Sequence, residues 1–180
     1  MIPIGVIHGR FQPLHDDHLK YLLAGKKQCR HLVIGITNPD PVRSKADPAD
    51  PTRHRADANP LTYYERYVML RAALSESGLP PKDFSVVPLP INFPELIAHY
   101  VPTDAVFFLT IYDDWGKKKQ ELFRSLDLQT HVLWEKTAAE KGISAATVRD
   151  RLQKKQPIAH LVPPAVARLL AAWDIAARLA

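Results

Sequence analysis

Three segments at the start of the chain narrow its fold more than any residue count does. Residues 2–8 (Ile-Pro-Ile-Gly-Val-Ile-His) form a short apolar run that turns polar at Arg10. Residues 16–28 gather Leu19, Leu22 and Leu23 on one face and put Lys20, Lys26 and Lys27 elsewhere, which is a helical period. His31 to Thr37 is a second apolar run. Strand, helix and strand within the first 37 residues make a βαβ unit, whose crossover is right-handed and whose two strands are parallel.

The alternation then continues. Helices are expected at 61–77, 94–100, 114–126, 144–153 and 163–179, and strands at 84–89, 104–111 and 129–134. In the helix at 61–77, Tyr64, Tyr67, Val68, Leu70, Ala73 and Leu74 read as the inner side. Strands that are apolar throughout are buried on both faces. The expectation is therefore an α/β, Rossmann-like parallel five-stranded sheet with helices on both faces and a C-terminal helix. Ligands of such sheets bind beyond the carboxyl ends of the strands, at the topological switch point. The loops at 9–16, 37–60, 89–94, 111–115 and 135–144 should then share one rim.

Composition removes several classes of function. The single cysteine, Cys29, excludes an intramolecular disulfide framework and a cysteine zinc cluster. No apolar run reaches the roughly 18 residues of a membrane span. The start of the chain lacks a basic leader and reads as a strand, so a cytoplasmic protein without membrane contact is expected. Lys and Arg number 24 against 19 Asp and Glu, and a net charge of +5 suits an anionic small molecule. Residues 38–60 hold five prolines and almost no large apolar side chain. Arg43, Lys45, Arg53, His54 and Arg55 read there either as a solvated loop or as a lid carrying positive charge over an anion. The interspersed Asp40, Asp47, Asp50 and Asp57 argue against a nucleic-acid stripe.

The chemistry is most legible between the first strand and the first helix, at Gly9-Arg10-Phe11-Gln12-Pro13-Leu14-His15-Asp16-Asp17-His18. Gly9 lets the backbone approach a ligand closely. His15 and His18, three apart on a helical first turn, share a face. The unpaired N–H groups of that turn attract phosphate, and Arg10 offers a bidentate donor to phosphate oxygens. Two histidines alone would also fit a metal site, but no second pair completes a zinc set.

This segment resembles the G-R-F-x-P-x-H-x-G-H signature of the nucleotidyltransferase superfamily, and more narrowly the archaeal-type nicotinamide-nucleotide adenylyltransferases. Ile34-Gly35-Ile36-Thr37 resembles that family's second-strand end. Asn59-Pro60-Leu61-Thr62-Tyr63-Tyr64-Glu65-Arg66 resembles its N-P-F-T-x-x-E-R segment. Ile143-Ser144-Ala145-Ala146-Thr147-Val148-Arg149 resembles its I-S-x-T-x-[IV]-R segment. The resemblance implies adenylyl transfer from ATP, with Mg2+, to nicotinamide mononucleotide, giving NAD and pyrophosphate. It implies His15, His18 and Arg10 as catalytic residues, and Gly9, Phe11, Ser144 and Arg149 in nucleotide binding. It also implies a homo-oligomer, with the apolar last helix as a candidate interface. A nucleotidyltransferase domain would span 1–155, with a helical extension, 156–180, packed on it.

Two positions depart from the pattern: Asp17 stands for the Gly of H-x-G-H, and Ala146 for the Thr of the later motif. The alternatives left open are another phosphate-bearing acceptor, CTP as donor, or a non-catalytic nucleotide-binding protein. Among the rim residues, Asn92 could read a carboxamide, and Phe93 or Trp115 could stack on its ring or simply pack. Asp113 suits a helix cap better than a ribose contact. Ser144 is a good N-cap as well as a phosphate donor. Lys117, Lys118 and Lys119 read as a solvated face, and Trp134 and Trp173 as core.

Overall fold

A computed structural model of the chain describes residues 1–40, 54–140 and 142–179. Among the described residues, five strands and six α-helices follow in the order β1 (Ile2–Gly9), α1 (Asp16–Gln28), β2 (Cys29–Thr37), α2 (Tyr63–Glu76), β3 (Phe84–Leu89), β4 (Val106–Ile111), α3 (Asp114–Ser125), β5 (Gln129–Glu135), α4 (Ala145–Gln153), α5 (Pro164–Ala172) and α6 (Ile175–Arg178). The strands form one parallel sheet in the order β3-β2-β1-β4-β5. The chain winds outward from β1 through β2 to β3, then crosses to β4 and β5, so the order reverses between β1 and β4. β1 pairs with β2 as far as Gly9, yet its register with β4 is confined to Gly5↔Val106 and Val6↔Phe107. The carboxyl ends of β1 and β4 therefore part, and a crevice opens at the expected switch point.

The period-2 alternation of side chains sorts the core into two layers. Ile7, Leu32, Ile34, Ile36 and Phe108 face one side, where Leu22, Met69, Leu70, Val148 and Val166 cover them. Val6, Val33, Phe107 and Leu109 face the other, against Phe123 and Ile97. Each fully buried Leu, Ile or Phe contributes about 1.5–3 kcal/mol, so the sheet is held from both faces.

Several boundaries differ from the sequence expectation for local reasons. α2 begins at Tyr63 because Thr62 and Glu65 form a capping box around its first turn. Its inner side is Arg66, Met69, Leu70, Ala73 and Leu74, whereas Tyr64 is 70% exposed. The helix expected at 94–100 is a short 3-10 segment, Pro94–His99. The last helix is two, because Asp174 takes a left-handed conformation (φ 49°) between α5 and α6. Its apolar side is covered within the chain, with Val166, Leu170 and Ile175 in the same core as α2. Trp134 and Trp173 are half-buried rather than core. No helix among the described residues is long and apolar enough to cross a membrane.

Candidate active site

The turn from β1 to α1 is built so that its backbone cannot drift. Phe11 takes a left-handed conformation (φ 52°), curling the chain so that its ring is 1% exposed in the core. The Gln12 side chain is locked to Leu61 in both directions: its amide donates to the Leu61 carbonyl at 2.8 Å and accepts from the Leu61 N–H at 2.9 Å. Arg66 on α2 is buried and donates to the carbonyls of Arg10 (3.1 Å), Thr37 (2.8 Å) and Asn38 (2.9 Å). One guanidinium thus ties the ends of β1 and β2 together. Burial lowers the Arg66 pKa to about 10, a value at which it remains charged at neutral pH.

His15 is the N-cap of α1 rather than a residue of its first turn, and its Nδ1 accepts from the His18 N–H at 3.3 Å. The two imidazoles stack with centroids 3.6 Å apart and planes 22° from parallel, and Phe11 meets the His18 ring edge-on at 5.2 Å. Burial lowers the His15 pKa to about 4, against a smaller opposing pull from Asp17. The ring is therefore neutral at pH 7. With Nδ1 accepting, the proton resides on Nε2, which becomes a hydrogen-bond donor rather than a cation.

The opposite wall is the start of α4. Ser144 is its N-cap, accepting from the Thr147 N–H at 3.1 Å, and its hydroxyl also bonds the Thr147 hydroxyl at 2.9 Å. Thr147 is thereby held on the exposed side and does not replace the hydroxyl missing at Ala146. Arg149 Nη1 donates to the Gln12 carbonyl at 2.7 Å, so the two phosphate-type motifs touch. Asp17 reaches the same wall: the Ile143 N–H donates to its Oδ2 at 2.7 Å, and Lys20 Nζ donates to its Oδ1 at 3.0 Å. Burial on its own would raise the Asp17 pKa. The Lys20 bond, the Ile143 amide and the nearby Lys20 charge outweigh that and hold it below the usual carboxylate value.

Between these walls lies a cavity of about 370 Å3 at the β1–β4 crevice. Of the residues singled out from sequence, Gly9, Arg10, Phe11, His15, His18, Ser144 and Arg149 all line it. Asn92 does not. It lines a second cavity, of about 140 Å3, beyond β2 and β3, together with Asn38, Phe93 and Tyr100. There the Asn92 amide donates to Asn38 Oδ1 at 3.4 Å. The side chain of Trp115, like Arg43, Lys45 and Arg53, lies outside the described residues. His54 and Arg55 are exposed, and Arg55 pairs with Asp57 at 3.0 Å rather than with the rim.

Sequence reasoning missed His8, Tyr112 and Lys119, which also line the larger cavity. His8 carried a signal, as a polar residue closing an otherwise apolar strand. Lys119 had one too: it falls at helical spacing from Gly116 and Phe123, the inward side of α3, whereas Lys117 and Lys118 are exposed. A Cβ at Gly116 would stand 3.1 Å from the Ile111 Cα, so glycine there lets α3 approach β4 and brings Lys119 to the rim.

The Cytidylyltransferase-like family profile matches residues 6–151. The chain belongs to this family. It is 50% identical to a phosphonoformate cytidylyltransferase of Streptomyces viridochromogenes over 97% of its own length and 94% of that protein's. It is 30% identical to a nicotinamide-nucleotide adenylyltransferase of Thermococcus kodakarensis, over 94% of this chain and 83% of the relative. The chain is accordingly a nucleotidyltransferase, and nucleoside triphosphates are the substrates of its family. Among solved structures, a bifunctional NMN adenylyltransferase/ADP ribose pyrophosphatase from Francisella tularensis, crystallised with AMP and a manganese ion, superposes with a TM-score of 0.66 at 15% identity. That likeness covers 99% of this chain but only 52% of the neighbour, so the chain spans about half of its length, and what is shared is the fold.

Proposed function

We propose that the chain transfers a cytidylyl group from CTP to the phosphonate oxygen of a small carboxylated phosphonate, with release of pyrophosphate. The observation that carries this reading is the 50% identity to the phosphonoformate enzyme along nearly the whole chain, against 30% to the nicotinamide enzyme. The ionised phosphonate oxygen attacks the α-phosphorus of CTP. The new P–O bond forms as the bond to the β-phosphate oxygen breaks, and its electron pair leaves with pyrophosphate. No enzyme nucleophile or base is required, so the protein acts by positioning and electrostatics.

The placement of the cavity residues supports a role for each. His15 Nε2–H and His18 donate to the oxygens on which charge grows. Arg10 and Arg149 clamp the triphosphate, which also meets the first-turn amides of α4, at Ala145 and Ala146. Lys119 and His8, on the α3 side of the cavity, suit the acceptor's carboxylate. Among the described residues no group of three His, Cys, Asp or Glu could form a metal cage. Mg2+ would arrive with the triphosphate and keep phosphate and water ligands. The ion would neutralise charge on the phosphate oxygens.

A second reading, adenylyl transfer to nicotinamide mononucleotide, is favoured by one feature. The smaller cavity sets the Asn38 and Asn92 amides beside Phe93 and Tyr100, a lining that suits a flat ring bearing a carboxamide. The two readings are separated by measuring pyrophosphate release with CTP or ATP against phosphonoformate or nicotinamide mononucleotide. Turnover is expected with CTP and phosphonoformate. Turnover confined to ATP and nicotinamide mononucleotide would replace the first reading with the second, and nucleotide binding without turnover of any acceptor would overturn both.

A further inference from the structure

The Asp17 carboxylate bridges two elements that are 126 positions apart in sequence. It stands on the first turn of α1, immediately before His18, and accepts the amide of Ile143, the residue before the α4 N-cap. The N-termini of α1 and α4 are the opposing walls of the nucleotide cavity. A side chain that joins them sets how far apart their phosphate-binding amides stand. Gly142 is matched to this contact, because a Cβ there would overlap Asp17 Oδ2. Lys20 holds the other carboxylate oxygen, so the side chain is fixed at both ends. The H-x-G-H pattern carries glycine at position 17. This chain has placed there a carboxylate that ends on the opposite wall's backbone.

We infer that Asp17 is a positioning residue: it fixes the start of α4 against the first turn of α1, and so presents Ser144, the α4 amides and Arg149 to the triphosphate at one spacing. This rests on the nucleotidyltransferase reading of the cavity but not on which donor or acceptor is used.

Asp17→Ala, Asp17→Asn and Gly142→Ala separate this role from simple repulsion of phosphate. Asparagine keeps an oxygen for the Ile143 amide and loses the charge. Magnesium-CTP and magnesium-ATP are titrated by calorimetry below the melting temperature of every variant, and steady-state KM and kcat follow wherever turnover exists. Asp17→Ala is expected to weaken nucleotide binding and raise its KM about tenfold, the equivalent of one charge-assisted hydrogen bond, with kcat within a few-fold. Asp17→Asn, which keeps the bond to the Ile143 amide without its charge, should recover most of that loss and bind within about threefold of wild type. Gly142→Ala should reproduce the Asp17→Ala defect, and the double variant should lose little more, because both remove one contact. Hydrogen exchange at the Ile143 amide is expected to quicken about tenfold in Asp17→Ala and not in Asp17→Asn. Tighter or unchanged nucleotide binding in Asp17→Ala, or unchanged exchange at Ile143, would overturn the role. If wild type binds neither nucleotide, the functional reading fails, while the exchange measurement still decides whether Asp17 holds the α4 start.

Discussion

His15 shows how one side chain carries both local structure and chemistry. It caps α1, and the same bond through Nδ1 leaves its Nε2–H for the cavity. Its folded pKa, about 4 against 6.5, implies a definite pH dependence. Between those values the unfolded chain takes up a proton that the folded ring refuses, so this contribution is present above pH 6.5 and is lost as pH falls to about 4. His15→Asn retains a capping oxygen and cannot titrate. Urea melts from pH 7 to 4 should show wild type losing up to about 3 kcal/mol relative to the variant. At pH 7 the variant should turn over about 10²-fold more slowly or worse, because the Nε2–H donor is gone. Parallel pH profiles would mean that the folded ring takes up its proton as readily as the unfolded one. Lys119 gives the second test at this scale. Lys119→Met is expected to raise KM about tenfold for whichever acceptor supports turnover, while Lys117→Met, on the exposed side of α3, leaves it unchanged. Equal KM values in both variants would remove Lys119 from the acceptor side.

Among the elements, α2 has a task that its amphipathic pattern conceals. Its first turn delivers Arg66 to three backbone carbonyls at the ends of β1 and β2, and Leu61, two residues before it, holds Gln12. The helix therefore shapes the rim of the cavity without lining it. Arg66→Met would leave those carbonyls buried and unpaired, a loss of about 3 kcal/mol or roughly 10 °C in Tm. Thermal melts with and without CTP should also show weaker stabilisation by nucleotide, since Arg10 loses its backbone anchor. A Tm within a degree or two of wild type would show that water replaces the guanidinium at no cost. In the sequence Arg66 stood only as the last residue of the segment that resembles N-P-F-T-x-x-E-R, with no role assigned to it. Nothing local indicated that its partners would be the carbonyls of residues 10, 37 and 38.

For the whole molecule, the C-terminal segment behaves as part of the core. Val162, Val166, Leu170 and Ile175 are each no more than 1% exposed, and Glu65 and Arg178 join α2 to α6 at 2.7 Å. Four such side chains contribute on the order of 6–12 kcal/mol, comparable to the whole stability of a typical domain. A chain shortened to residues 1–155 is therefore expected to be unfolded or aggregated, and circular dichroism with a thermal scan checks it. A cooperative melt in the shortened chain would show that 156–180 is dispensable for folding. The sequence by itself determined the succession of strands and helices, the parallel sheet, the switch point at which the cavity opens and the two motifs that line it. Periodicity and turn chemistry act over a few residues, and these features are written over a few residues. Tertiary structure decided the rest: that His15 caps rather than continues its helix, that Lys119 turns inward while its neighbours do not, that Arg66 is satisfied by backbone alone, and that Asp17 ends on Ile143. His15 and Lys119 turn on where a helix starts and which of its faces meets the sheet, which packing decides. The Arg66 and Asp17 contacts depend on which distant backbone groups the sheet order brings within hydrogen-bond reach, and no local window of sequence contains both partners.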